Sequence, residues 1–110
     1  MQRFSLALDL KDDPQLSAEY KAYHANVWPE IIAGIKLSGI TGLDIYCSGH
    51  RLFMVIEADD DFSFEKKSAR DARDVRVQEW EELMWKFQLA LPWARPGEKW
   101  VLMEKIFELP

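Results

Sequence analysis

Tyr20 and His24 stand four residues apart in Tyr20-Lys-Ala-Tyr23-His24-Ala-Asn-Val-Trp28-Pro29-Glu30, and their side chains are of types that move protons. On a helix that spacing sets them about 40° apart around the axis and one turn apart along it, so both can face one cleft. Histidine gives and takes protons at neutral pH because its unperturbed pKa is about 6.5. A phenol beside it can donate a hydrogen bond and hold a hydroxylated substrate. The plainer reading makes His24 a partly buried helix residue hydrogen-bonded to a neighbour, and spacing alone favours that role.

The five tryptophans, Trp28, Trp80, Trp85, Trp93 and Trp100, are more than a 110-residue core needs. Indole faces stack on the C–H faces of sugar rings while the N–H finds a polar partner. Most of the five are better read as core or interface packing. Trp80 is the candidate for substrate binding, because Glu79, Glu81 and Glu82 flank it with carboxylates. Asp44 interrupts an apolar run in Leu43-Asp44-Ile45-Tyr46. An acid there points to solvent, the favoured outcome, or lines a cavity. His24 and His50, without clustered cysteines, do not make a metal site. No serine elbow or phosphate-cradling glycine run is present, and Cys47 has no activating base nearby.

The elements that would carry these residues follow from periodicity. Residues 2–10 alternate, with Phe4, Leu6, Leu8 and Leu10 on one face, which predicts a strand covered on one side. Ser17 is a candidate N-cap for a helix over about 15–25, and Pro29 opens a second over 29–38 with Ile31, Ile32, Ile35 and Leu37 in the core. Gly39 ends it. Ile40–Cys47 predicts a strand, Ser48–Arg51 a hairpin turn, and Leu52–Ile56 a strand apolar without alternation, hence buried on both faces in mid-sheet. Asp59–Asp61 would cap a short helix at 62–70. Val77, Trp80, Met84, Phe87 and Leu91 recur at helical spacing until Pro92. Lys99–Glu108 predicts a last strand. The order β-α-β-β-α-β implies an α+β, ferredoxin-like antiparallel sheet with helices on one face. Its other face needs a cover, and a second copy of the chain would supply one.

Length predicts a single domain over residues 1–110. A net charge of −5 and a pI near 5.0 speak against nucleic-acid or anionic-membrane partners. One cysteine excludes an intramolecular disulfide, and a cytoplasmic location is the expectation, since the N-terminus does not read as a signal peptide and no apolar run reaches membrane length.

Glu19-Tyr20-x-x-x-His24-x-x-x-Trp28-Pro29-Glu30, Asp44-Ile45-Tyr46, Gln78-Glu79-Trp80 and Ile106-Phe107-Glu108-Leu109-Pro110 resemble the L-rhamnose mutarotase family. The resemblance runs from the first strand to the C-terminus. It implies a dimeric α+β barrel of ferredoxin-like subunits, a homodimer that interconverts the α and β anomers of a 6-deoxy-L-sugar without cofactor or metal. By it His24 matches the proton donor, Tyr20 a substrate-contacting tyrosine, and Trp80 the first of a tryptophan pair that holds the sugar. Two positions depart: the second tryptophan of that pair is Glu81, and the strand tyrosine that touches rhamnose is Leu43. The segment 62–77 is also longer. Members associated with L-fucose, with similar Asp-Ile-Tyr and Gly-Glu-Lys-Trp stretches, resemble this chain more closely, so L-fucose is expected before L-rhamnose.

Opening a pyranose hemiacetal requires a proton delivered to the ring oxygen and one removed from the anomeric hydroxyl. His24 is expected to do the first, and Tyr20, Asp44 or Glu81 the second, with Trp80 and Trp28 holding the ring. Fold alone would also accommodate a small oxygenase of the dimeric α+β barrel class or a non-catalytic sugar-binding module.

Overall fold

The computed structural model describes residues 1–110. Strand β1 (Gln2–Leu10) is followed by helices α1 (Pro14–Ala25) and α2 (Pro29–Leu37), then by the hairpin β2 (Ile40–Ser48) and β3 (Arg51–Ala58). Helices α3 (Phe64–Asp71) and α4 (Val75–Trp85) precede two short strands, β4 (Gln88–Leu89) and β5 (Val101–Leu102). The antiparallel sheet runs β2-β3-β1-β4, with β5 also on β1. This is the expected α+β, ferredoxin-like order, with its last strand split in two. β4 pairs Leu10 with Gln88, and β5 pairs Ala7 with Val101, so residues 90–100 loop out between two halves of one edge. Pro92 and Pro96 lack the N–H that a continuous ladder needs, and Gly97 turns with φ +81°.

Register sorts the side chains. Leu6 opposes Met54, Leu8 opposes Leu52, and Ile45 opposes Met54, so these share the face that packs under the helices. Leu8, Leu10 and Leu52 are fully buried against Tyr20, Ile31, Val77, Trp80 and Met84. A second cluster gathers Leu6, Ile40, Met54, Ile56, Ala58 and Phe62. Truncating a buried leucine of this kind to alanine costs about 2–5 kcal/mol.

Several local expectations are corrected. Asp13, not Ser17, caps α1 by accepting from the N–H groups of Gln15 and Leu16, because Pro14 begins the helix earlier. Ser63, not Asp59–Asp61, caps α3. In α2, Ile31 and Ile35 share the inner face, whereas Ile32 and Leu37 are exposed, since each residue turns the helix by about 100°. Helix α4 stops at Trp85, and Phe87 and Leu91 are buried beyond it rather than on it. β3 alternates between buried Leu52, Met54 and Ile56 and half-buried Phe53 and Val55, because helices cover only one face of the sheet. Of the predicted strand Lys99–Glu108 only Val101–Leu102 pairs, and Ile106, Phe107 and Leu109 lie exposed in the tail. No helix is long and apolar enough to cross a membrane.

Candidate active site

Between the helices and the covered sheet face lies a cavity of about 550 Å³, within the range typical of small-molecule sites. Its floor is apolar: Leu6, Leu43, Ile45, Met54 and Ile56. Its walls bring together Tyr20 and His24 from α1, Trp80 and Glu81 from α4, Gln88 from β4, and Lys99 and Trp100 from the loop before β5.

Tyr20 and His24 meet as their spacing on α1 requires, with ring centroids 4.3 Å apart and planes inclined by 35°. The His24 ring donates from Nδ1 to the carbonyl of Tyr20 at 2.8 Å. A carbonyl can only accept, so the proton sits on Nδ1 and Nε2 is the nitrogen left for a ligand. Trp80 lies edge-on to His24 at 5.8 Å and limits how the imidazole can tilt. Tyr20 is almost wholly buried, and burial pushes its phenol up to about 12. It therefore remains a neutral hydrogen-bond donor at neutral pH. The Gln88 amide donates to its oxygen across 3.3 Å.

On the opposite wall Lys99 reaches into the space and is held by Glu81, whose backbone carbonyl accepts from Nζ at 3.1 Å and whose carboxylate pairs with it. Burial lowers the Lys99 pKa, an effect that the Glu81 carboxylate opposes. The ammonium also lies 4.9 Å from the centre of the Trp85 ring. At the cavity's edge, Lys67 and Asp71 pair along α3.

Of the sequence candidates, Tyr20, His24, Trp80 and Glu81 converge on the cavity. Trp28 does not line it. Its ring braces Trp80 from behind at 5.1 Å and carries the Arg76 guanidinium at 4.0 Å. Asp44 is exposed and opposes Val55, so strand alternation turns it to the sheet face away from the cavity that Leu43 and Ile45 line. Gln88, Lys99 and Trp100 join the site without having been singled out as site residues. A glutamine between an amphipathic helix and a proline-rich loop carries no local signal of function. No three His, Cys, Asp or Glu side chains gather into a metal-binding group.

Comparison with known proteins gives this geometry a context. The family model described as L-rhamnose mutarotase matches residues 3–109. The chain is 48% identical to the L-fucose mutarotase of Xanthomonas campestris pv. campestris, over 99% of this chain and 89% of that protein. In structure it resembles an L-rhamnose mutarotase from Formosa agariphila, with a TM-score of 0.73 at 20% identity and full coverage of both chains. It also resembles the tetracenomycin F2 cyclase of Streptomyces glaucescens, with a TM-score of 0.66 at 17% identity over both whole chains. The cyclase likeness concerns the fold alone, since one fold hosts unrelated chemistries. The match across nearly the whole chain and the 48% identity show that this protein belongs to the L-rhamnose mutarotase family and is an isomerase of the sugar mutarotase class.

Proposed function

We propose that this enzyme interconverts the α and β anomers of a 6-deoxy-L-hexose, with L-fucose as the preferred substrate and L-rhamnose second. The observation that carries the reading is the pairing of Tyr20 with a His24 whose Nδ1 is committed to backbone, on the wall of an apolar-floored cavity. The floor suits the methyl and C–H faces of a deoxy sugar, and the polar walls suit its hydroxyls. The 48% identity to an L-fucose mutarotase supports the order of substrates.

His24 acts in its doubly protonated form: Nδ1–H stays on the Tyr20 carbonyl, and the proton on Nε2 passes to the ring oxygen as the C–O bond of the hemiacetal opens. The anomeric hydroxyl loses its proton to a base; among the residues of the cavity wall, the Glu81 carboxylate is the candidate. Tyr20, neutral through burial, orients a substrate oxygen by donation. Trp80 holds the ring. The open aldehyde rotates about its C–C bond and recloses with both proton transfers reversed, so no net proton is gained or lost.

The exposed face of β2 and β3 supports a homodimer. Tyr46 and Phe53 pair across the strands with centroids 6.2 Å apart, and Tyr46 is 58% exposed. Asp44 lies on that same face and would meet the second subunit.

The test is NMR magnetisation exchange between the anomers of L-fucose and of L-rhamnose. Wild-type protein should accelerate both, L-fucose more, and His24→Ala should lose about 10²-fold or more, the typical share of one positioned acid–base group. Wild-type-like exchange by His24→Ala would exclude the role given to His24.

A further inference from the structure

Gln88 is 4% exposed, and its Oε1 has no hydrogen-bond partner in the protein. It is the one buried side-chain oxygen or nitrogen left in that state. An unmet buried carbonyl is destabilising, and a native fold retains one where something else will occupy it. The residue sits on β4 opposite Leu10, where the sheet register fixes its backbone, and its side chain lines the cavity beside Tyr20. Its other amide atom, Nε2, is already committed as donor to the Tyr20 oxygen. That donation occupies a lone pair of the phenol and directs the Tyr20 O–H away from Gln88. One amide thus holds an unmet, solvent-shielded acceptor in the cavity wall and, through its neighbour, orients a donor.

We infer that Gln88 and Tyr20 together read a single ring hydroxyl of the sugar, which accepts from the Tyr20 O–H and donates to Gln88 Oε1. The inference rests on the mutarotase reading and deepens it. The hydroxyl closes a ring of three hydrogen bonds: sugar to Gln88, Gln88 to Tyr20, Tyr20 to sugar. A substrate with hydrogen at that position leaves both buried protein groups unmet, which is the arrangement that discriminates most strongly between substrates. Gln88 is therefore a specificity-determining residue, and toward Tyr20 it is a positioning one.

The experiment compares wild type and Gln88→Met, which keeps length and volume but removes both amide groups. Anomer exchange is measured on L-fucose and on analogues each lacking one ring hydroxyl, and both proteins are melted without sugar. With wild type, one analogue should lose about 10-fold or more in kcat/KM. With Gln88→Met, the gap between that analogue and L-fucose should shrink several-fold, to what the Tyr20 donation alone sustains. The variant should melt no lower than wild type, since it replaces an unmet carbonyl by an apolar group. Two results would overturn the inference: Gln88→Met slowing L-fucose and every analogue by one common factor, or melting several degrees lower. Failure of wild type to exchange any of these sugars would instead refute the mutarotase reading, and with it the substrate assignment. That outcome is distinguishable because the first two are read on an active or a folded protein.

Discussion

Burial holds the Tyr20 phenol at about 12 where an exposed tyrosine ionises near 10, and that displacement ties the site to stability. Below pH 10 the phenol is neutral in both folded and unfolded chains, and its contribution is fully present. Between pH 10 and about 12 the unfolded chain ionises first, the folded state holds more protons, and stability falls as pH rises. Over that window the loss amounts to about 3 kcal/mol. Urea midpoints of wild type and Tyr20→Phe, followed through the alkaline range, should diverge in slope, with the variant flatter. Parallel curves would mean that the phenol ionises as freely as in water. Tyr20 and His24 were legible because both lie on one helix, where spacing alone fixes their relation. Gln88 lies 68 residues from Tyr20, and only the sheet brings them together.

The helix that carries the pair depends on its first turn. Asp13 accepts from two backbone N–H groups there, at 2.9 and 3.1 Å, and Pro14 fixes the entry of the chain. Asp13→Ala should lower stability by about 1 kcal/mol, about 5 °C in Tm, and should raise amide exchange in α1 before the sheet is affected. Unchanged Tm and exchange would assign the capping elsewhere. Sequence favours Ser17 as the cap only because both positions offer a side-chain oxygen, and the observed start at Pro14 separates them. The end of α4 departs from its apolar spacing for a related reason. Phe87 and Leu91 continue the helical spacing, yet Phe87 packs beside Tyr20 at 6.2 Å from a turn, and Leu91 is buried from the loop. Burial selects for apolar residues whatever backbone presents them.

At the scale of the whole molecule, helices cover one face of the sheet, and the other carries Tyr46, Phe53 and Val55. The apolar tail at Ile106, Phe107 and Leu109 is likewise unpacked. A second copy would bury such surfaces at about 25 cal/mol per Å² of apolar area. Sedimentation equilibrium should find wild type at twice the chain mass of 12.9 kDa, and Phe53→Asp shifted toward a single chain. A monomeric wild type at micromolar concentration would refute the dimer. The apolar run in β3 fits a strand covered on both faces, while within one chain only alternate residues are buried.

The sequence by itself determined the family, the ferredoxin-like order of elements, and the juxtaposition of Tyr20 with His24 on α1. Those features depend on period and short-range spacing, which helices and strands translate directly into geometry. Only the tertiary structure decided which side chains share the cavity. It turned Asp44 to the far side of the sheet, set Trp28 behind Trp80, tied Glu81 to Lys99, and left the Gln88 carbonyl unpartnered beside Tyr20. Each of those outcomes depends on strand register or on where a loop returns. Such relations arise from packing between distant segments, and local patterns do not encode them.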